Sequence, residues 1–369
     1  MDMERGDRPL AGVRVLETQA LGPVPWACML LADWGADVVR VENPAAAEGA
    51  DTYGAVLRGR TRVALDLKGE EGRARFLQLA AHADVVIEGM RPQVMERLGL
   101  GPEQVFEANP RAIYARMTGY GQHGPLAGEA GHDINYIAVS GVLHAIGPAD
   151  APAVPLNLVG DFAGGGCFVL MGILAALARP RPARKPVVID AAMVDGAAVL
   201  MSLIHSRLNL GQWQDRRAAN PLDGGVPWYG TYRTLDGRHV AVGALEPRFY
   251  ANLLAGLGLQ DLPPREDPQH WDAIRAAFAQ AFAARGRDDW ARHFEGRDAC
   301  VSPVLSLSEA VASPHLAARQ TFAALDGQPM PAPAPVMNGR RAAFSGPSLR
   351  GSAADAVARW QAGTEQDAS

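Results

Sequence analysis

The sequence predicts an α/β protein: a large domain on a mainly parallel sheet, followed by a smaller domain. Three observations predict it. Through the first half, short apolar runs of strand character alternate with segments of helical periodicity, the pattern of strands joined by crossover helices. At 369 residues the chain is long enough for one large and one small domain. Its 48% hydrophobic and 20% charged residues are ordinary for a globular protein.

The elements follow in order. Residues 13–17 read as a strand and residues 25–33 as a helix, with Pro25 in its first turn. Strands follow at 37–42, closed by Pro44, and at 62–67. A helix at 70–83 leads to a strand at 84–88, helical patches at 92–98 and 102–109, and a strand at 112–117. Ligands on such sheets sit at the carboxyl ends of the strands. From 134 to 178 the chain reads as mostly helical, apart from a loop at 147–155. The most apolar stretch, 167–178, is shorter than a bilayer requires and reads as a buried helix, so no membrane span is expected. A buried strand at 186–191 and one long helix at 192–208 complete the large domain, taken as 1–200. The turn-rich Asn220-Pro221-Leu222-Asp223-Gly224-Gly225 ends a linker, 201–224. The small domain, 225–325, has strands at 231–234 and 240–243 and helices at 247–257, 271–283 and 288–294. Proline alternates with apolar residues over 329–335, like a linker. Residues beyond about 351 read as exposed.

Composition narrows the function. A net charge of −5 argues against a nucleic-acid binder relying on a basic field. Cys28, Cys167 and Cys300 are too few and too scattered for a disulfide framework or a zinc site, which points to a reducing cytoplasm. Residues 1–9 lack the apolar core of a secretory signal, and Asp367-Ala368-Ser369 is not a peroxisomal address.

Several motifs carry chemistry. Gly119-Tyr120-Gly121-Gln122-His123-Gly124 fits a dinucleotide pattern, but it follows a late strand and runs into Pro125, so it reads as a loop that borders a ligand at most. Arg40, Arg58, Arg60, Arg62, Lys68 and Arg91 stand near element ends. Guanidinium groups there suit a ligand with several phosphates; solvated surface charge explains them equally well. His132, one of nine histidines, lies at a helix start, where the dipole favours a neutral imidazole able to accept a proton. Asp161 precedes Phe162-Ala163-Gly164-Gly165-Gly166, glycines that admit close approach of backbone, helix or ligand. Glu246 marks a strand-to-helix junction. Capping is the alternative role for each of these three residues.

Together these segments resemble a known family. Gly131-His132-Asp133-Ile134-Asn135-Tyr136, Pro155-Leu156-Asn157 and Asp161-Phe162-Ala163-Gly164-Gly165-Gly166 are similar to the α-methylacyl-CoA racemases of the family III CoA-transferase superfamily. The likeness runs from Pro9-Leu10-Ala11-Gly12 through Ala64-Leu65-Asp66-Leu67-Lys68 and Ala244-Leu245-Glu246-Pro247-Arg248-Phe249-Tyr250 to Asp298-Ala299-Cys300-Val301. The resemblance implies a Rossmann-like CoA-binding domain completed by a returning segment, 326–369. It also implies an interlocked homodimer whose partner subunit completes the site.

Carried over, the resemblance makes His132 and Asp161 the acid/base pair. Glu246, with Tyr229, becomes the contribution from the other subunit. Asp133, Asn157, Gly164 and Gly165 belong to the substrate pocket, and Arg40, Arg58, Arg62 and Arg91 meet the CoA nucleotide. Neither a metal nor a redox cofactor is expected, CoA being part of the substrate. A transferase of the same superfamily, with a nucleophile at Asp161, is the alternative; His132 argues against it. Thr18-Gln19 and Val24 depart from the family's usual residues beside the acyl thioester.

Overall fold

A computed structural model describes residues 8–47 and 54–366. Residues 1–7 and Asp367-Ala368-Ser369, on which the signal and address readings bear, lie outside the described residues. The backbone groups into two units. One comprises Met1–Ser140, Leu156–Met201 and Gln320–Ser369, the other Gly141–Pro155 and Ser202–Arg319.

The first unit is built on a parallel sheet. Its strands are β1 (Arg14–Thr18), β2 (Asp37–Glu42), β3 (Arg60–Ala64), β4 (Val85–Glu88), β5 (Ile113–Thr118) and β6 (Val187–Ala192), with the short strand Leu349–Arg350 beside β3. The order across the sheet is Leu349–Arg350, β3, β2, β1, β4, β5, β6. The central strands β1, β2 and β4 carry apolar side chains toward both faces because both are covered there. Val15, Val38 and Ile87 pack against Val24, Cys28 and Leu31 of helix α1 (Pro23–Asp33). On the other face Leu16, Val39 and Val86 pack against Phe76 and Leu79 of α2 (Glu70–Ala80) and against Trp360. Strand order reverses direction at β1 and β4: β2 and β3 spread to one side, β5 and β6 to the other. The connections therefore diverge there and leave a crevice at the carboxyl ends of β1 and β4.

One patch of this core is ionic. Glu17 is fully buried, and Arg40 and Arg60 are 2% and 1% exposed. Arg40 pairs with Glu17 and hydrogen-bonds Glu42 at 2.9 Å; Arg60 reaches Glu17 at 3.1 Å and Arg62 reaches Glu42 at 2.9 Å. Arg58 bonds Asp33 at 2.9 Å, and the Ser345 hydroxyl donates to the same carboxylate at 2.8 Å. An unpaired ion in such a place costs several kcal/mol, so the carboxylates are what permit these arginines to lie inside.

The second unit carries an antiparallel sheet, β7 (Tyr229–Arg233), β8 (His239–Gly243) and β9 (Val301–Pro303). Tyr232, Phe278, Phe282 and Trp290 fill its core.

Four features depart from the sequence reading. The expected helix at 192–208 breaks at Met201 into Met193–Leu200 and Ser202–Asn209. Residues 328–331 are not linker: they pair with Phe322–Leu325 in a two-stranded ribbon, whose outer edges tolerate Pro329 and Pro331. Gly141–Pro155 groups with the second unit. The apolar helix is longer than expected, running from Leu158 to Leu177. Among the described residues it alone is long and apolar enough to cross a membrane by length and composition, and 39% of its most apolar 18-residue window is buried.

Candidate active site

A cleft of about 660 Å³ opens at the reversal point. Its walls are the loop after β1 (Gln19 to Val24), the loop after β4 (Gly89 to Pro92), and the end of β5 with Gly119 and Tyr120. His132, Tyr136 and Asp161 face into it. The Gly119 to Gly124 stretch is a loop, as its sequence indicates, and its first two residues border the cleft.

His132 is exposed and stands immediately before helix α3 (Asp133–Val139), on extended backbone. Two contacts hold that turn. The Asn135 side-chain oxygen accepts the His132 N–H at 3.0 Å. The Tyr136 hydroxyl donates to the Gly131 carbonyl. The Tyr136 ring occupies the space a side chain at position 119 would take, since a Cβ there would lie 2.1 Å from it.

Asp161 lies in the first turn of helix α4 (Leu158–Leu177). Asn157, not Asp161, occupies the cap position. The turns from Leu158 to Cys167 are wound as a π-helix, a widening that often accompanies functional sites. The Asp133 carboxylate accepts the Asp161 backbone N–H at 2.7 Å, and Asn157 donates to the Asp161 carboxylate at 3.1 Å. Gly160 makes room, because a Cβ there would sit 2.7 Å from Asp133 Oδ2. Asp133 is 5% exposed, Asn157 is exposed, and neither lines the cleft, so both hold Asp161 rather than wall it. Partial burial pushes the Asp161 carboxyl above its usual range; the Asn157 hydrogen bond opposes this, nearby Asp133 adds to it and His132 opposes it.

Opposite Asp161, Gly22 adopts φ +60 at the start of α1; a Cβ there would lie 3.0 Å from the Asp161 carboxylate. Pro23 and Pro25 leave Val24 as the one amide among the first three helical positions. Gly22, Pro23 and Val24 all line the cleft, so the positive end of an 11-residue helix meets it.

The triple glycine serves a different contact from the one expected. Gly164 and Gly165 are buried and do not line the cleft. A Cβ on Gly164 would lie 2.8 Å from the Ala197 nitrogen, in helix α5 (Met193–Leu200), and one on Gly165 would lie 3.0 Å from the Met193 side chain. What approaches closely is a helix, not a ligand.

The four arginines separate. Arg40 and Arg58 are buried and engaged by carboxylates, and Arg62 is engaged by Glu42. Arg91 is exposed on the cleft wall, and among the described residues its guanidinium makes no hydrogen bond or ion pair. A second hollow, about 470 Å³, shares Gln19, Ala20, Leu21 and Met90 with the cleft and extends to Leu65 and Lys68 at the end of β3. The two form one elongated surface across the strand ends. In the second unit, Glu246 is exposed at the cap position of Pro247–Leu257, with no side-chain bond to the helix, and Tyr229 begins β7. Sequence reasoning missed Tyr136 and Gly22. Tyr136 could have been found from its place in the His132 motif; Gly22 carries no such signal.

Residues 10–351 match the model of CoA-transferase family III. The chain belongs to this family. It is 44% identical over 329 residues to the α-methylacyl-CoA racemase of Mus musculus, covering 88% of this chain and 85% of that one. It is 28% identical over 331 residues to the succinyl-CoA:glutarate CoA-transferase of Homo sapiens, covering 84% and 74%. Among solved structures, a CaiB/BaiF family protein from Brucella suis superposes with a TM-score of 0.79 at 25% identity, covering 96% of this chain and 99% of that one. Among the described residues no group of three or more His, Cys, Asp or Glu side chains could hold a metal ion.

Proposed function

We propose that this family member is a racemase of 2-methylacyl-CoA thioesters, acting by removal of the α-proton and its return on the opposite face. The observation that carries this reading is that an exposed imidazole and a half-buried carboxyl face one cleft, in a chain 44% identical to such racemases. His132 serves one face of the α-carbon and Asp161 the other. A positioned general base is worth ~10²–10⁴-fold. The remaining acceleration comes from stabilising the enolate oxygen, for which the amide end of α1 at Val24 offers a positive field. The raised Asp161 carboxyl is a stronger base than an ordinary aspartate, and so better matched to a carbon acid. The elongated surface receives the rest of the CoA, with Arg91 on the cleft wall and Lys68 in the second hollow as exposed cations.

Glu246 and Tyr229 complete the site from a partner subunit of an interlocked homodimer. Apolar surface left open on one chain supports a second copy. The edge strand β6 exposes Val187 and Val188, and Ser202–Asn209 buries no residue while exposing Leu203 and Leu208. Free Cys28, Cys167 and Cys300 fit a cytoplasmic setting.

A transferase using Asp161 as nucleophile is the second reading, favoured by the glutarate CoA-transferase likeness. One incubation separates them: a single enantiomer of a 2-methylacyl-CoA in D₂O, without an acceptor acid. Racemisation with α-deuterium incorporation is expected. Absence of exchange, with CoA transfer once a free acid is added, would overturn the racemase. His132→Ala should abolish racemisation; normal turnover in that variant would remove His132 from its role.

A further inference from the structure

Beneath the cleft lies an acid that the mechanism does not use. Glu88 ends β4 and is 3% exposed. The next three residues, Gly89, Met90 and Arg91, form a wall of the cleft, and Met90 also lines the second hollow. Glu88 Oε2 accepts the Met90 backbone N–H at 2.6 Å, so this carboxyl ties the strap to the sheet.

In register beside it on β5 is Arg116. Its guanidinium pairs with Glu96 and donates to Gln122 at 2.9 Å, while its Nε is 3.9 Å from Glu88, beyond hydrogen-bond reach. Arg116 Nε and Gln122 Nε2 are both buried without a partner. Asp190, next across on β6, accepts the Gln122 N–H at 3.1 Å. Three carboxyl groups thus face one guanidinium, with the Tyr114 ring beside it. Glu96 and Asp190 are exposed to solvent; Glu88 is the acid of the three that is buried. The unpartnered Nε, 3.9 Å from Glu88, is the group that an ionised carboxylate there would draw in.

We propose that Glu88 is a positioning residue: by holding or releasing a proton it sets the Gly89–Arg91 strap, and with it how the cleft receives a CoA thioester. When Glu88 ionises, Arg116 turns toward it and away from Glu96 and Gln122, and the strap and the loop carrying Gln122 shift together. Burial, with Glu96 and Asp190 nearby, places this change near neutrality against the pull of the Met90 N–H and Arg116.

The inference about thioester binding rests on the proposed function; the spectroscopic arms below do not. In infrared spectra the protein should show a protonated-carboxyl band at pH 6 that fades through about pH 7 and is missing from Glu88→Gln. The ¹³C-methyl resonance of Met90 should follow the same transition in the wild type and stay flat in the variant. CoA affinity, measured by calorimetry, should fall between pH 6 and pH 8 by up to about tenfold more in the wild type than in Glu88→Gln. A wild type without the band at pH 6, or a Met90 resonance with the same titration in both proteins, overturns the proposal. If neither protein binds CoA, the functional reading fails, while Met90 still decides the role of Glu88.

Discussion

Replacing Gly196 with alanine tests what places Asp161. An added Cβ would sit 1.8 Å from the Gly164 carbonyl oxygen, where ordinary contact begins at 3.4 Å. Helices α4 and α5 would have to separate by about 1.6 Å, in an interior packed too densely to absorb it. Overpacking of this kind typically costs ~1–3 kcal/mol. Alanine also favours the helix by roughly 0.5–1 kcal/mol over glycine, so the net loss is smaller than the clash alone. Asp161 lies one turn before Gly164 on the displaced helix, and a misplacement of about 1 Å can cost ~10²-fold in rate. Thermal unfolding should therefore show Gly196→Ala destabilised by ~1–2 kcal/mol, and α-proton exchange in D₂O should fall ~10²-fold. Gly128→Ala, where a Cβ meets nothing within 4 Å, should leave stability within ~0.5 kcal/mol. Unchanged melting and exchange in Gly196→Ala would refute the packing argument. A lower melting temperature with full exchange would show that this crossing does not place Asp161.

Other outcomes follow from the same geometry. Asp133→Asn removes a negative neighbour from Asp161 and should move the acid limb of the kcat/KM profile to lower pH; Asn157→Ala removes a hydrogen bond to the carboxylate and should move it to higher pH. Glu17→Ala strands Arg40 and Arg60 in the core and should cost ~3–5 kcal/mol in denaturant unfolding, whereas Arg359→Ala, losing an exposed pair with Asp37, should cost less than ~1 kcal/mol. Glu88 is pushed up from 4.5 to about 7, chiefly by burial, so the folded state keeps a proton that the unfolded chain releases between those values. Stability should fall as pH rises across that window, by about 3 kcal/mol in all, and Glu88→Gln should abolish that slope.

Much of the fold was legible because it rests on local pattern. Strands such as Asp37–Glu42 and Val85–Glu88 are buried on both faces, and their consecutive apolar residues, Val38-Val39 and Val85-Val86-Ile87, announce a parallel sheet. What the pattern did not disclose depends on partners distant in sequence. Arg40 and Arg58 look like ligand-binding arginines because nothing local records that Glu17 lies beside one, and Asp33 with Ser345 beside the other. The proline-rich 329–335 stretch looked like linker because its pairing to Phe322–Leu325 relies on a two-stranded ribbon rather than on strand propensity.

The site shows the same division. His132 and Asp161 could be named from short motifs, but their motifs also contain the residues that hold them, and sequence cannot tell holder from actor. Asp133 sits next to His132 in the chain and yet bonds the Asp161 backbone. Asn157 is four residues from Asp161 and occupies the cap position that Asp161 was expected to fill. The glycines after Asp161 suit close approach of backbone, helix or ligand, and the resemblance assigns Gly164 and Gly165 to the substrate pocket, whereas Gly164 meets the backbone of α5 and Gly165 its Met193 side chain. A glycine run signals close approach and says nothing about what approaches. Only the crossing at Gly196 decides it, 32 positions beyond Gly164 in the chain. The triple glycine therefore acts on the chemistry through helix placement: it lets α4 lie against α5 with Asp161 held at the mouth of the cleft.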